Sequence, residues 1–316
     1  TLTVPNTGSF DSFRDVTLNN TFSLSQGQHK IRLTNVGEKF DTDWLRLNRI
    51  TTAGTTTTPS PQPTAPTSTP TSGGGTVPAG AIRIKTTDNA ASILKNNSAG
   101  KTFYFDAGVH RISETLRPDK GDKLIGQKGA IISGAKQLNS FSKEGALWVA
   151  SSQNQEFAAR PSSIYVSAGT SGTGSICGSG FTRCNRSEQL FINDKVLKHV
   201  DAKSKVVSGT WFFDYGANKM YFADNPDGKK VEASEDQYAI HQWDSAQNQI
   251  TVSNLIVEKF ATPAQQCAVA LMSDSNIVEY NELRRNHGAA VCVGSYGFIR
   301  NNKIHNQGQI GIGGGK

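Results

Sequence analysis

Three stretches toward the C-terminal end of the chain repeat one another: ITVSNLIVEKF from residue 250, IVEYNELRRNHGAAVCVG from 277 and FIRNNKIHNQGQIGIGG from 298. They align on Asn254, Asn281 and Asn302, at intervals of 27 and 21 residues (281 − 254 and 302 − 281). A repeat of roughly 20–50 residues marks units that cannot bury an apolar side alone and must stack on their neighbours. Ile256, Leu283 and Ile304 each follow the aligned Asn by two residues, which predicts an inward aliphatic stack. Asn at equivalent turns can bond its side-chain amide up such a stack. The fixed L-x-x-L-x-L spacing of a leucine-rich repeat is absent, and a sandwich would not repeat the Asn. The pattern therefore predicts the coils of a right-handed parallel β-helix.

Composition agrees with an all-β chain. Of 316 residues 36% are hydrophobic and 19% charged, below the usual charged share of about 25%, while Thr, Ser, Asn and Gly are abundant. The length accommodates two domains. The net charge is +7, and it is spread thinly: residues 1 to 50 hold 6 Lys/Arg against 5 Asp/Glu, 51 to 80 hold neither, and the remainder holds 27 (33 − 6) against 21 (26 − 5). A nucleic-acid footprint is a clustered basic stripe on a recognisable module, so no nucleic-acid partner is expected. A mildly basic surface suits an acidic polysaccharide or a solvated surface without a partner. No run of 18 apolar residues exists, so no membrane span is expected.

Residues 51 to 75, TTAGTTTTPSPQPTAPTSTPTSGGG, contain nothing large and apolar to bury and cannot offset the entropy of ordering. The chain is thus read as three parts: a partial β-sandwich over 1–50, a flexible Thr/Pro/Ser/Gly linker over 51–78, and the β-helix over 79–316. Five prolines favour polyproline II in the linker, which then reaches up to about 75 Å and lets two modules touch one extended target. Before it, TFSLS, HKIRLTNV and FDTDWLRLNRI alternate as strands do. Fifty residues are half of a β-sandwich of about 100, and TLTVPNTGSF reads as the middle of a strand-and-turn domain.

VPNTGSFDSFRDVTL, SLSQGQHKIRLTNVG and FDTDWLRL resemble the C-terminal half of a family 6 carbohydrate-binding module. The resemblance implies a non-catalytic glycan-binding sandwich. It places Phe10 where the family usually has a sugar-stacking Trp, Asp41 where it commonly has an Asn that bonds sugar hydroxyls, and Asp43 at a structural calcium position. A carboxylate suits calcium's preference for oxygen ligands, so Ca2+ is the one cofactor expected. The alternative is that Phe10 is core and the acids merely exposed.

Within 79–316, TDNAASILKNNSAGKTFYFDAGVHRI predicts one short helix with Ala91, Ile93 and Leu94 on its apolar side, capping the open end of the coil. Residues 141 to 234 read as antiparallel strands: EQLFIN and KVL around Asp194, TWFFDY and KMYFA around Gly216–Asn218. They resemble the insert of bacterial β-helix proteins related to glycoside hydrolases and polysaccharide lyases. Trp211, Phe212, Tyr215 and Tyr221 are read as packing inside this insert rather than as a sugar platform.

Cys177 and Cys184 bracket CGSGFTRC, which can close as a small disulfide loop, and the spacing matches no zinc pattern. Cys267 and Cys292 lie in apolar runs and are read as packed core thiols, with a second disulfide as the alternative. For chemistry, ELRRNHG puts Arg284, Arg285 and His287 in one coil and NKIHN puts Lys303 and His305 in the next, with Arg284 and His305 in one column. These are the candidate catalytic residues. A lyase acting on a uronate needs a cation against the carboxylate and a base for the C5 proton, whereas a hydrolase needs two carboxyls flanking the glycosidic oxygen. Glu258, Asp274, Glu279 and Glu282 are too scattered in sequence to name as a pair. The expectation is a secreted, extracellular protein that binds and degrades a polysaccharide; the alternative is a non-catalytic glycan-binding, adhesive or structural one.

Overall fold

The computed structural model describes residues 77–157, 182–184, 186–264 and 266–313. The partial sandwich, with Phe10, Asp41 and Asp43, and nearly all of the linker lie outside the described residues, as does Cys177.

A parallel β-solenoid with three faces organises these residues. The first face stacks six strands in the order Ile82–Ile84, Thr102–Phe105, Lys123–Gly126, Thr251–Ser253, Ile277–Glu279 and Phe298–Arg300. The second stacks Gly108–Arg111, Ala130–Ser133, Ile256–Glu258, Glu282–Arg284 and Lys303–His305. The third stacks Ile240–Gln242, Cys267–Leu271 and Ala289–Val293. Every pairing within these faces is parallel, and strands of adjacent rungs lie about 4.8 Å apart.

Alternation of side chains across each strand sends one set inward. Phe103, Leu124, Val252, Val278 and Ile299 stack on the first face, and His110, Ile132, Val257, Leu283 and Ile304 on the second. Apart from His110, a buried polar residue, they form one apolar core together with Ile240, Val269 and Val291. The predicted helix is Ala90–Lys95; Asn89 caps it by accepting from the Ser92 amide at 2.9 Å, and Ala90, Ala91 and Leu94 pack on the same core.

The corners explain the repeated asparagines. Gln249, Ser275 and Tyr296, then Asn254, Tyr280 and Asn301, then Lys259, Arg285 and Asn306 all have φ between 55° and 64°. A left-handed residue turns the chain sharply from one face to the next. The residue after it leaves a backbone N–H in the interior, and the amide of the next rung satisfies it. Asn276 Oδ1 accepts from Ile250 N at 2.9 Å, Asn281 from Leu255 N at 3.0 Å and Asn286 from Phe260 N at 3.1 Å. One rung further, Asn302 accepts from Asn281 N and Gln307 from Asn286 N.

This register corrects the alignment of the first repeat by one residue. Leu255, not Asn254, shares the column of Asn281 and Asn302, so the intervals are 26 and 21 residues. Val257 rather than Ile256 stacks under Leu283, and Ile256 lies beneath Glu282. The cause is the two-residue period of a strand, in which a one-residue offset exchanges inside for outside. Asn254 keeps a corner role, in the left-handed column with Tyr280 and Asn301.

Between Ser133 and Ile240 the chain leaves the solenoid and returns to it, so that Lys123 pairs directly with Thr251. The excursion forms two antiparallel-based sheets, one of four strands including Ala135–Leu138 and Val231–Ser234, the other of five including Thr210–Asp214 and Lys219–Phe222. Both expected hairpins are present, with Phe191 opposite Val196 and Phe212 opposite Tyr221. Trp211 is fully buried in the insert's own core, Tyr221 is buried, and Phe212 and Tyr215 pack against that interior, as packing rather than a platform requires. Cys267 and Cys292 depart from the expectation of free thiols: they form a disulfide between consecutive rungs of the third face. Parallel stacking brings residues 25 apart in sequence to a Cα separation of 5.7 Å, a proximity that the linear sequence does not show. Cys184 is also disulfide-bonded.

Candidate functional site

The outward side of the second face carries two columns of side chains. One runs Arg111, Ser133, Glu258, Arg284, His305; the other runs Val109, Ile131, Ile256, Glu282, Lys303. Apart from Arg111 on the first rung, the early rungs of both columns are apolar or small, and charge gathers on the last three. The structure thus brings Arg284, Arg285, Lys303 and His305 onto adjacent rungs of a single surface.

Carboxylates that look scattered in sequence hold these cations in place. Arg284 spans two of them, through Nε to Glu258 Oε2 at 2.6 Å and through Nη1 to Glu282 Oε1 at 2.9 Å. Arg285 adds a 3.1 Å bond to Glu258 Oε2. His305 Nε2 lies 2.9 Å from Glu282 Oε1, and Lys303 Nζ lies 3.5 Å from the same oxygen with its side chain 62% exposed. Burial pushes the Glu282 carboxyl up, but the bonds from His305 and Arg284 outweigh it and bring the group down to about 2. Burial works against the charge on Arg284, and Glu258 and Glu282 more than restore it. At neutral pH Glu282 and Arg284 are both ionised.

A second layer joins the row to the insert. Lys259, in a left-handed corner, is fully buried; its ammonium bonds Asp194, meets Glu232 Oε2 at 2.5 Å and lies 3.4 Å from Glu258 Oε1. Asp194 sits in the turn between Leu190–Ile192 and Lys195–Val196, and Glu232 on Val231–Ser234, so both reach the coil from the insert. Arg111 bonds Glu232 at 2.7 Å from the first rung of the same face. Lys230 completes the group at 2.7 Å from Asp194. Burial penalises the charge of Asp194, yet Lys230 and Lys259 hold its carboxyl well below the ordinary range. Burial lowers the Lys259 ammonium, and Glu258, Asp194 and Glu232 raise it above its ordinary value.

His287 does not join the row. Its Nδ1 faces the Thr262 carbonyl at 2.9 Å, and burial lowers its pKa against that bond. Sequence reasoning missed Glu258, Glu282 and Lys259 as one unit, and Asp194 and Glu232 altogether. The rung register supplies the first three, and chain separations of 65 and 27 residues from Lys259 conceal the others.

No protein-family model and no curated protein sequence matches the chain. Among solved structures, it is similar to one described as the complex of XylC with xylose, with a TM-score of 0.51 and 14% identity, over 69% of this chain and 50% of that one. A second, described as a glycoside hydrolase, aligns with a TM-score of 0.39 and 11% identity over 68% of this chain and 65% of that one. The likeness is one of fold. The chain spans about half the length of the first structure's chain.

Among the described residues no group of three or more His, Cys, Asp or Glu could hold a metal ion. No helix among them is long and apolar enough to cross a membrane.

Proposed function

We propose that this chain belongs to a secreted carbohydrate-active protein that binds an acidic polysaccharide along the outward side of the second face and cleaves it by β-elimination. The observation that carries the reading is the charge row on adjacent rungs. It and its supports hold six cations, Arg111, Lys230, Lys259, Arg284, Arg285 and Lys303, against four carboxylates, Asp194, Glu232, Glu258 and Glu282, a surplus of two. Rungs repeating every 4.8 Å or so offer a linear polymer successive contacts. The inter-rung disulfide suits an oxidising extracellular compartment, and the 1–50 segment would target the protein to its glycan.

Roles follow from exposure and pairing. Lys303, the most exposed cation of the row, and Arg285 take the uronate carboxylate. His305 takes the C5 proton on Nδ1 once the Asn306 side chain, whose oxygen lies 2.5 Å from that nitrogen, turns away, while Nε2–H donates to Glu282 Oε1 at 2.9 Å. The C4–O4 bond breaks as the C4=C5 double bond forms, and the leaving oxygen takes a proton from solvent water. Hydrolysis by the Glu258–Glu282 pair is disfavoured, because Glu258 has a side chain only 6% exposed and is occupied by both arginines.

Incubation with polygalacturonate, alginate, xylan and β-glucan tests the reading. Ultraviolet absorbance of unsaturated ends from an acidic glycan, lost in His305→Ala, is expected. New reducing ends without that absorbance would replace elimination with hydrolysis, and retention without cleavage would make the protein a binder.

A further inference from the structure

The corner between the third and first faces, away from the charge row, carries two aromatic side chains that the fold leaves in solvent. Trp243 follows strand Ile240–Gln242 and is 52% exposed; Tyr296, in the left-handed column with Gln249 and Ser275, is 82% exposed. At each position the fold forgoes most of the stabilisation that burying a large apolar side chain would bring.

Trp243 is nevertheless held in place. Its indole N–H donates to His241 Nε2, and the His241 ring stacks on Tyr238 with centroids 4.5 Å apart at 26°. The backbone around it is pinned to the solenoid. The Gln242 side chain donates to the Pro118 carbonyl at 3.0 Å and accepts from the Asp244 amide at 3.1 Å, while Met272 N donates to Gln242 O at 2.9 Å. Gln247 accepts from Lys120 N at 2.6 Å. A fixed aromatic face bordered by an exposed carboxylate, Asp244, and by Ser245 matches a pyranose, whose C–H face packs on a π-system while its hydroxyls bond polar neighbours.

Trp243 precedes the corner at Gln249 and Tyr296 occupies the same corner two rungs later, as the bonds from Gln249 N to Asp274 O and from Ser275 N to Ser295 O show. Two rungs rise by about 10 Å, comparable with the span of two linked sugar rings. Phe298, two residues beyond Tyr296, is exposed as well and extends the aromatic surface at this end of the first face.

We infer that this corner is a second, non-catalytic glycan-binding site, in which Trp243 and Tyr296 each stack on a pyranose ring of the polymer cleaved on the second face. The inference rests on the carbohydrate reading above. Two sites on one polymer raise the local concentration of substrate without a new contact at the first.

The full chain and its Trp243→Ala and Tyr296→Ala variants, each checked for a wild-type melting temperature, would be titrated with oligosaccharides from polygalacturonate and from xylan. The chain has four tryptophans, Trp44, Trp148, Trp211 and Trp243, so the part of a blue shift and of acrylamide protection that disappears in Trp243→Ala is the part that reports on Trp243. The expected result is that shift in the wild type, its loss in Trp243→Ala, and binding weakened about tenfold in either variant. Cleavage of long polymer should fall while cleavage of a short oligosaccharide is unchanged. Wild-type affinity in both variants would overturn the inference. So would an unshifted emission spectrum from a chain that binds saccharide. In His305→Ala, loss of cleavage with the Trp243 shift intact supports both assignments. Cleavage lost only in His305→Ala, with neither aromatic variant altered, sinks this inference alone, and binding of neither saccharide by the wild type sinks both.

Discussion

Replacing Lys259 with Met probes how the insert is fastened to the solenoid. The ammonium is fully buried and faces Glu232 Oε2 at 2.5 Å, Glu258 Oε1 at 3.4 Å and Asp194. Methionine fills most of the space of the stem but leaves Glu232, almost wholly buried, with Arg111 at 2.7 Å and Lys230 at 3.5 Å. Breaking a buried ion pair by removing one partner costs about 3–5 kcal/mol, because the other charge stays behind. At about 2–4 °C per kcal/mol for a domain of this size, melting falls by roughly 6–20 °C. The pH dependence has a definite sign. Burial pushes the Glu232 carboxyl up, the bonds from Lys259 and Arg111 outweigh it, and the net position is below the ordinary value. Such a group stabilises the fold above its unfolded pKa of about 4.3 and loses that contribution as pH falls through the folded value. The variant has less of it to lose, so its deficit narrows from pH 7 toward pH 4. Lys259, raised in the fold, stabilises it below about pH 10.4 and loses that contribution as pH rises through the folded value. Urea unfolding followed by circular dichroism at pH 7, below about pH 4 and above about pH 10.4 measures both effects. Lys259→Met/Glu232→Gln should recover part of the loss. A single variant within 1 kcal/mol or so of wild type, or a deficit independent of pH, would refute the reasoning.

Three further outcomes follow from the solenoid. Asn281→Ala removes the acceptor for Leu255 N at 3.0 Å and the donor to Val252 O at 3.0 Å, both interior, and should cost about 2–4 kcal/mol in urea unfolding. Gly126→Ala would place a methyl 2.3 Å from the Asn254 carbonyl oxygen, and soluble yield or melting temperature should drop sharply because backbone, not a flexible side chain, is the obstacle. The double variant Cys267→Ala/Cys292→Ala opens a cross-link spanning 25 residues and should lose about 3 kcal/mol, with melting no longer sensitive to dithiothreitol at this bridge.

The solenoid, its helical cap and the insert hairpins were legible in sequence because each has a local period: aliphatics two residues after a turn, an amphipathic turn of helix, and hairpin residues such as Asn193–Asp194. Register was less legible. Identical letters invited alignment of Asn254 with Asn281, whereas backbone conformation aligns Asn254 with Tyr280 and Asn301. The cations of the site could be read from ELRRNHG and NKIHN, yet their partners could not. Glu258 meets Arg284 only through rung stacking, and Asp194 and Glu232 reach Lys259 from an insert whose docking no local pattern encodes. The disulfide was hidden for the same reason, since its cysteines lie on different rungs.

The central claim is that the outward row of the second face contacts an acidic polysaccharide, and Lys303 tests it most cleanly because its side chain stands in solvent and its replacement leaves the core untouched. Affinity electrophoresis through gels containing polygalacturonate or xylan would compare wild type with Lys303→Ala and Lys303→Glu. The account predicts retention of the wild type by the acidic glycan, weakened by salt, reduced in Lys303→Ala and abolished in Lys303→Glu, with xylan gels indifferent to the charge change. Equal retention of all three proteins by polygalacturonate would contradict it.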